Sequence, residues 1–255
     1  MCAASSCRDR VRIPRRPSRN LVPLERAAAA LCIRKIHRLL RLPDPTWDED
    51  INLTLRRIQR SKLNRPKQAK GLTRKLLDHC LAAQPDNPWG LRNRAMIALG
   101  YDLLTRPELV ALRSDDLEFR GDGSLRVIIR RGKADPFGMG RIAFSSIRTT
   151  QLVRDWLAWR GQDVEPLFCG IYHGKPINRC LGTTKVKLII KEAAVAAGAP
   201  PEDVAAFNGH SLRVGAAQDL LCAGFDNAAI MRTGGWKSVN VLGRYLEFAE
   251  HNVWA

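Results

Sequence analysis

The sequence predicts a mainly α-helical protein with a small antiparallel β-sheet, an α+β fold, preceded by a short basic helical segment. Three observations predict it. Most segments between turn signals repeat apolar residues every three to five positions, the spacing of one helix face. The stretch around Leu125, Val127 and Ile129 instead alternates apolar with polar, the two-residue period of a half-buried strand. The charge is also uneven. Residues 1–70 hold 18 Lys and Arg against 6 Asp and Glu, net +12, while residues 71–255 hold 24 against 19, net +5.

The elements follow in order. Residues 1–20 are rich in Arg, Ser and Pro and are expected to be a basic, disordered segment. They lack the apolar run of a secretory signal, and Pro14 and Pro17 interrupt the amphipathic helix of a transit peptide. Leu24, Ala28, Leu31, Ile36 and Leu39 mark a helix that Pro43 and Pro45 stop. Asp44 or Thr46 can start a second helix, with Ile51, Leu55 and Ile58 inward and Arg56, Arg57, Arg60 and Lys62 outward. These two helices make a partial helical domain over residues 21–65. The polar, basic stretch 61–70 with Pro66 is the linker, and a larger domain occupies residues 66–255.

In that larger domain Thr73 is placed to cap a helix reaching about Ala83, and DNPWG is a turn. LRNRAMIALGYDLL is a strongly apolar helix. Pro107 opens another, PELVALRSDDL, because proline is tolerated in a first helical turn. Residues 125–129 and IAF form a β-hairpin around the glycine-containing loop RRGKADPFGMGR. A helix over 147–160 carries Trp156 and Trp159, both read as core. After the short apolar piece PLFCGI come helices at 182–197 and 211–223, one holding AAIMR, and a last one from near Val239.

Composition narrows the function classes. The 255 residues are 45% apolar, enough for a real core, and no apolar run approaches the ~18 residues of a membrane span. The seven cysteines are odd in number and lack a C-x-x-C, so neither a disulfide framework nor a zinc site is indicated, and free thiols suit a reducing cytoplasm. The net charge is 42 − 25 = +17 and the pI about 10.2, which suits a polyanion partner. A merely basic soluble protein or a membrane-surface binder accounts for the charge as well. Gly132-Lys133 and Gly174-Lys175 lack the rest of a nucleotide-binding P-loop.

Several local features carry chemistry together. Arg106 stands at a helix entrance and Lys133 in the hairpin loop. His210 and Arg213 follow Asn208-Gly209, and GGWKSVNVLGRYLEF contains Trp236 and, nine residues on, Tyr245. Phosphoryl transfer needs a nucleophile, cations around the developing charge and an acid for the leaving oxygen. Tyrosine can attack and hold a phosphoryl group. The arginine fork matches phosphate oxygens, histidine and the Trp N–H can donate, and lysine can protonate a leaving oxygen. Singly, each residue has an ordinary structural role: a packing tyrosine, a core tryptophan, a helix-start histidine, a solvated lysine.

In this order the pieces resemble the tyrosine recombinase, or phage integrase, family over roughly residues 24–250. The resemblance is carried by YDLLTRPELVALRSDDL, RGKADPFGMGR, GHSLRVGAAQDLL, GGW and GRYLE. The spacing from Arg213 through Trp236 to Tyr245 is similar to that of the Cre-like members, which also use tryptophan where many relatives have histidine. The resemblance implies the tyrosine recombinase catalytic-domain fold and a smaller N-terminal core-binding (SAM-like) domain, clamped together around double-stranded DNA. It implies a catalytic set of Arg106, Lys133, His210, Arg213, Trp236 and Tyr245, with Tyr245 leaving a 3′-phosphotyrosine and a free 5′-OH. No cofactor, metal or ATP is implied, and the working assembly is a tetramer on two duplexes. Arg34, Lys35, Arg38, Arg56, Arg57, Arg60, Lys62, Arg130, Arg131 and Arg141 are the basic positions assigned to DNA contacts.

The match departs in three places. The family usually reads Arg-x-x-Glu, whereas Arg106-Pro107-Glu108 is one residue shorter; with Glu108 as the fixed point, Thr105 takes the arginine's place. Two clear helices precede the linker where the family has four or five, and ten residues follow Tyr245. A non-catalytic DNA-binding remnant and a type IB topoisomerase-like activity are therefore the alternatives.

Overall fold

The computed structural model describes residues 23–61, 68–105, 107–130, 138–249 and 251. The chain divides into two units, Met1–Lys67 and Gln68–Ala255. In the first, α1 (Pro23–Leu39) and α2 (Glu49–Ser61) are joined through a 3-10 turn at Pro45–Trp47. Buried Thr46 is the hub of that turn. Its N–H and hydroxyl both donate to Asp44 Oδ1, at 2.9 and 2.7 Å, and its carbonyl accepts from Asn52 Nδ2 at 2.7 Å. Ile51, expected inward, is exposed, as are Leu31, Ile36 and Leu39. A layer of two helices buries one seam between them and leaves the remaining apolar positions in water.

The second unit is built around α4 (Pro88–Asp102). Asn87 caps it by accepting from Gly90 N at 3.0 Å, and Pro88 fills the first turn, where no N–H is needed. From Ala95 to Leu99 every residue is at most 2% exposed, because this helix is covered on all sides. α3 (Arg74–Ala82) packs beside it, and α5 (Ile147–Arg160) and α8 (Ser211–Cys222) cover it. Close approach to α8 requires Gly100, where a Cβ would lie 2.9 Å from Leu212 Cδ1. On α8, a Cβ at Gly215 would lie 1.9 Å from the Leu72 carbonyl oxygen. Gly215→Ala is therefore expected to cost about 1–3 kcal/mol by overpacking, read as a melting temperature lowered by several degrees.

β1 (Leu117–Phe119), β2 (Leu125–Ile129) and β3 (Arg141–Ser145) form an antiparallel sheet, with Leu117 opposite Val127 and Val127 opposite Ala143. Its inner face buries Leu125, Val127, Ile129 and Ala143. β4 (Cys169–Tyr172) and β5 (Lys175–Cys180) make a separate hairpin. Then come α6 (Thr183–Ala196), α7 (Pro201–Ala206), α8, α9 (Asn227–Gly234) and α10 (Val239–Leu246). Among the described residues no helix is long and apolar enough to cross a membrane.

The helix expected from Pro107 is corrected. The structure has short 3-10 turns at Pro107–Ala111 and Ser114–Asp116, and then strand β1. Arg113 is extended and bridges to Pro166, and its N–H donates to Asp116 Oδ2 at 2.9 Å. Pairing with β2 outweighs a local helix pattern, because it satisfies main-chain groups and buries the sheet's inner face. The β4–β5 hairpin went unread because Pro176 and polar alternates disguise β5 as loop. α7 was also missed, although Pro201, Glu202 and Asp203 carry the first-turn signal.

Candidate active site

Three chain segments shape the site. The first is the turn into α8. Asn208 Oδ1 accepts from His210 N at 2.8 Å, and Asn208 N donates to Ser211 Oγ at 2.9 Å. This sets His210 at the N-cap of a twelve-residue helix and Arg213 within its first turn. That end of a helix carries partial positive charge and favours an anion.

The second segment is Gly234-Gly235-Trp236. Gly235 closes α9 in the left-handed conformation, φ 69°, and Trp236 N donates to Met231 O at 2.9 Å. Gly234 is needed for another reason: a Cβ there would lie 1.9 Å from the Trp236 ring. The indole ring is thus seated over the helix end by two glycines doing different things. α10 then carries Tyr245, whose carbonyl accepts from the buried Gln218 side chain at 3.1 Å.

The third is the end of α4. Leu104 has φ 48°, a left-handed conformation that costs a non-glycine residue about 1–2 kcal/mol. Its buried side chain holds it there. The resulting turn presents the Leu103 and Leu104 carbonyls, which the ended helix leaves without intrahelical donors.

These segments meet at Arg213. Its Nη1 donates to the Leu104 carbonyl. Its guanidinium carbon lies 3.7 Å from the Trp236 ring centroid, a cation–π stack. The Trp236 and Tyr245 rings meet edge to face, with centroids 5.3 Å apart and an interplanar angle of 66°. Arg213, Trp236 and Tyr245, spread over 33 positions of sequence, therefore form one contiguous group. Trp236 is 8% exposed, and its Nε1 is buried without a hydrogen-bond partner among the described residues. An unsatisfied buried donor costs about 1–3 kcal/mol, which an incoming phosphate oxygen can recover.

Arg106 and Lys133 lie outside the described residues, as do Lys62 and Arg131. Thr105, the other reading of the arginine position, is 1% exposed. Of the basic positions assigned to DNA, Lys35, Arg38, Arg56, Arg57, Arg60 and Arg130 stand exposed. Arg34 is engaged within its own unit, with Nε 2.9 Å from Thr46 Oγ1 and 3.4 Å from Asp44. Arg130 pairs with the buried Asp116 at 2.5 Å. Arg141 is half-buried, and its guanidinium turns inward onto the carbonyls of Leu103 and Thr233, each at 2.6 Å. Burial pushes its pKa down to about 10, against the nearby Glu108 charge, which raises it. Gln218 and the Leu104 carbonyl were not legible as site groups, since no local pattern distinguishes them.

The comparisons with known proteins point to one family. The model of the phage integrase family matches residues 70–251. The Cre recombinase of Escherichia phage P1 is 29% identical over 231 residues, which cover 84% of this chain and 67% of that protein. An XerD-homologue integrase/recombinase of Selenomonas ruminantium is 32% identical over 166 residues, 62% of this chain and 48% of that protein. Among solved structures, the XerH site-specific recombinase bound to its palindromic difH substrate superposes with a TM-score of 0.59 at 19% identity. That match covers 74% of this chain and 53% of the other.

Proposed function

Because this chain belongs to the phage integrase family, we propose that it is a site-specific DNA recombinase that cuts and rejoins double-stranded DNA through Tyr245. The observation that carries the reading is the Arg213–Trp236–Tyr245 group at the amino end of α8. A cation from α8 and a phenol from α10 both contact one buried donor ring in the turn between α9 and α10.

In this mechanism the Tyr245 oxygen attacks a backbone phosphorus. The Oη–P bond forms as the P–O5′ bond breaks, and the phenolic proton passes to solvent or a neighbouring base. Lys133 supplies a proton to the departing 5′ oxygen, which leaves as a hydroxyl. Arg213 and Arg106 offset the charge on the non-bridging oxygens, and His210 and Trp236 donate to them. The hydroxyl of a second strand reverses the step. One phosphate ester replaces another, so no ATP is consumed. The partner is duplex DNA, the working assembly a tetramer on two duplexes, and the compartment the cytoplasm. The exposed Lys35, Arg38, Arg56, Arg57 and Arg60 supply phosphate contacts, so affinity should fall steeply with salt.

The test is covalent trapping. The protein is incubated with nicked duplexes drawn from the DNA around its own gene and run on a denaturing gel. A protease-sensitive shifted band supports the reading. DNA binding with no such band at any site would replace it with a non-catalytic DNA-binding role.

Two further substitutions separate the roles within the site. Trp236→Phe keeps an aromatic ring but removes the buried donor along with the indole's five-membered ring, so cleavage is expected to slow by about tenfold, the worth of a single lost hydrogen bond. The smaller ring should lower the melting temperature by a few degrees and leave DNA affinity almost unchanged; no change in rate would exclude the donor role. Lys133→Ala should slow cleavage by about 10²–10⁴-fold, the worth of a general acid. Binding should hold within a few fold, and equal losses of binding and cleavage would show Lys133 to be a DNA contact instead.

A further inference from the structure

Arg141 opens β3, directly after the hairpin loop. Its two terminal nitrogens reach two different helix ends. Nη2 donates to the carbonyl of Leu103, the residue that caps α4 and lies three positions before Arg106. Nη1 donates to the carbonyl of Thr233, in the last turn of α9 and three positions before Trp236. Both acceptors belong to helix C-termini, whose partial negative charge favours a cation.

The surroundings are shaped for this side chain. A Cβ on Gly235 would lie 2.8 Å from Arg141 Cδ, so the glycine makes room for the arginine stem. Gly140, just ahead, has φ 67°, and a Cβ there would lie 2.8 Å from the Ile129 carbonyl oxygen. The next carbonyl of the α4 turn, that of Leu104, is taken by Arg213. Two arginines, from β3 and from α8, thus hold consecutive carbonyls of one turn. The planar fork suits this task because its nitrogens diverge, whereas a lysine ammonium offers a single point.

We propose that Arg141 is a positioning residue for strand cleavage, fastening the segment that leads to Arg106 and the segment that leads to Trp236 to one guanidinium. The proposal rests on the recombinase reading for its catalytic consequence but not for the coupling itself. Arg141 does not touch DNA in this role. It sets two segments in register, and a misplacement near 1 Å at such a site can cost about 100-fold in rate.

The experiment uses the full chain carrying Arg141→Gln, with Arg141→Lys beside it. Amide hydrogen exchange is followed in peptides covering 103–111 and 232–237, because exchange reports local opening. Faster exchange is expected in both peptides of the glutamine variant and not in those of α6. Single-turnover cleavage of a nicked duplex at saturating protein should fall about 100-fold, with DNA affinity within about twofold of the parent. The lysine variant, holding one carbonyl, should fall between. Unchanged exchange, or faster exchange in one peptide alone, would overturn the coupling, and so would parallel losses of affinity and cleavage. If the parent forms no adduct, the exchange result still decides the coupling, and the failure belongs to the cleavage reading. If the glutamine variant does not fold, the lysine variant carries the same measurements.

Discussion

Tyr245→Phe is expected to abolish the covalent adduct while leaving folding and DNA affinity intact. The substitution removes one oxygen. The ring that meets Trp236 edge to face at 5.3 Å is retained, so the packing of α10 on the site is retained with it. The tie from Gln218 to α10 reaches the Tyr245 main-chain carbonyl and is also indifferent to the change. What is lost is the nucleophile. Removing the nucleophile from an interdependent catalytic group costs on the order of 10⁴–10⁶ in rate, below the detection of a gel assay. The measurements are adduct formation on a nicked duplex, salt-dependent binding by gel shift and a thermal melt. An adduct that persists in the phenylalanine variant would place the nucleophile elsewhere. An adduct lost together with several degrees of melting temperature would make Tyr245 a packing residue.

Arg213→Lys is expected to cost cleavage about 100–1,000-fold, the usual worth of one group aimed at developing charge. The charge is kept, so a purely long-range electrostatic role would survive the change. The arginine, however, combines two contacts here. One nitrogen holds the Leu104 carbonyl, and the guanidinium plane stacks on Trp236 at 3.7 Å. A guanidinium stacked by its face can still direct edge N–H groups at a phosphate, and an ammonium cannot do all three. Single-turnover rates at saturating protein, with a melt as control, read the effect. A lysine variant within about threefold of the parent would show that charge alone suffices. Arg213→Ala should be slower again and somewhat less stable, since it also releases the α4 turn.

The residues proposed to react are legible because their signals are local. Asn208-Gly209 before His210 marks a turn into a helix, and Arg213 falls in the first turn by helix spacing. Gly234-Gly235 marks a helix end, and the structure has α9 closing there in the left-handed conformation. The apolar run Ala95–Leu99 in α4 announces a stretch of helix covered on every side. Elements whose form depends on remote partners were misread. PELVALRSDDL has a helical pattern, yet it ends in a strand because β2 offers main-chain partners at Leu117–Phe119. The hydrogen bonds of Arg141 are likewise illegible in sequence, since its acceptors lie 38 and 92 residues away.

The sequence by itself determined the order and chemical character of the candidate site residues: an arginine, a lysine, a histidine–arginine pair, a tryptophan and a tyrosine, on segments whose caps and periods are short-range properties. The tertiary structure decided which of these touch. Arg213 stacks on Trp236 and Trp236 abuts Tyr245 because α8, α9 and α10 pack against one another. It also decided that two arginines bind the end of α4. The carbonyl acceptors are common to every residue, and only the ending of a buried helix leaves them open to a distant side chain.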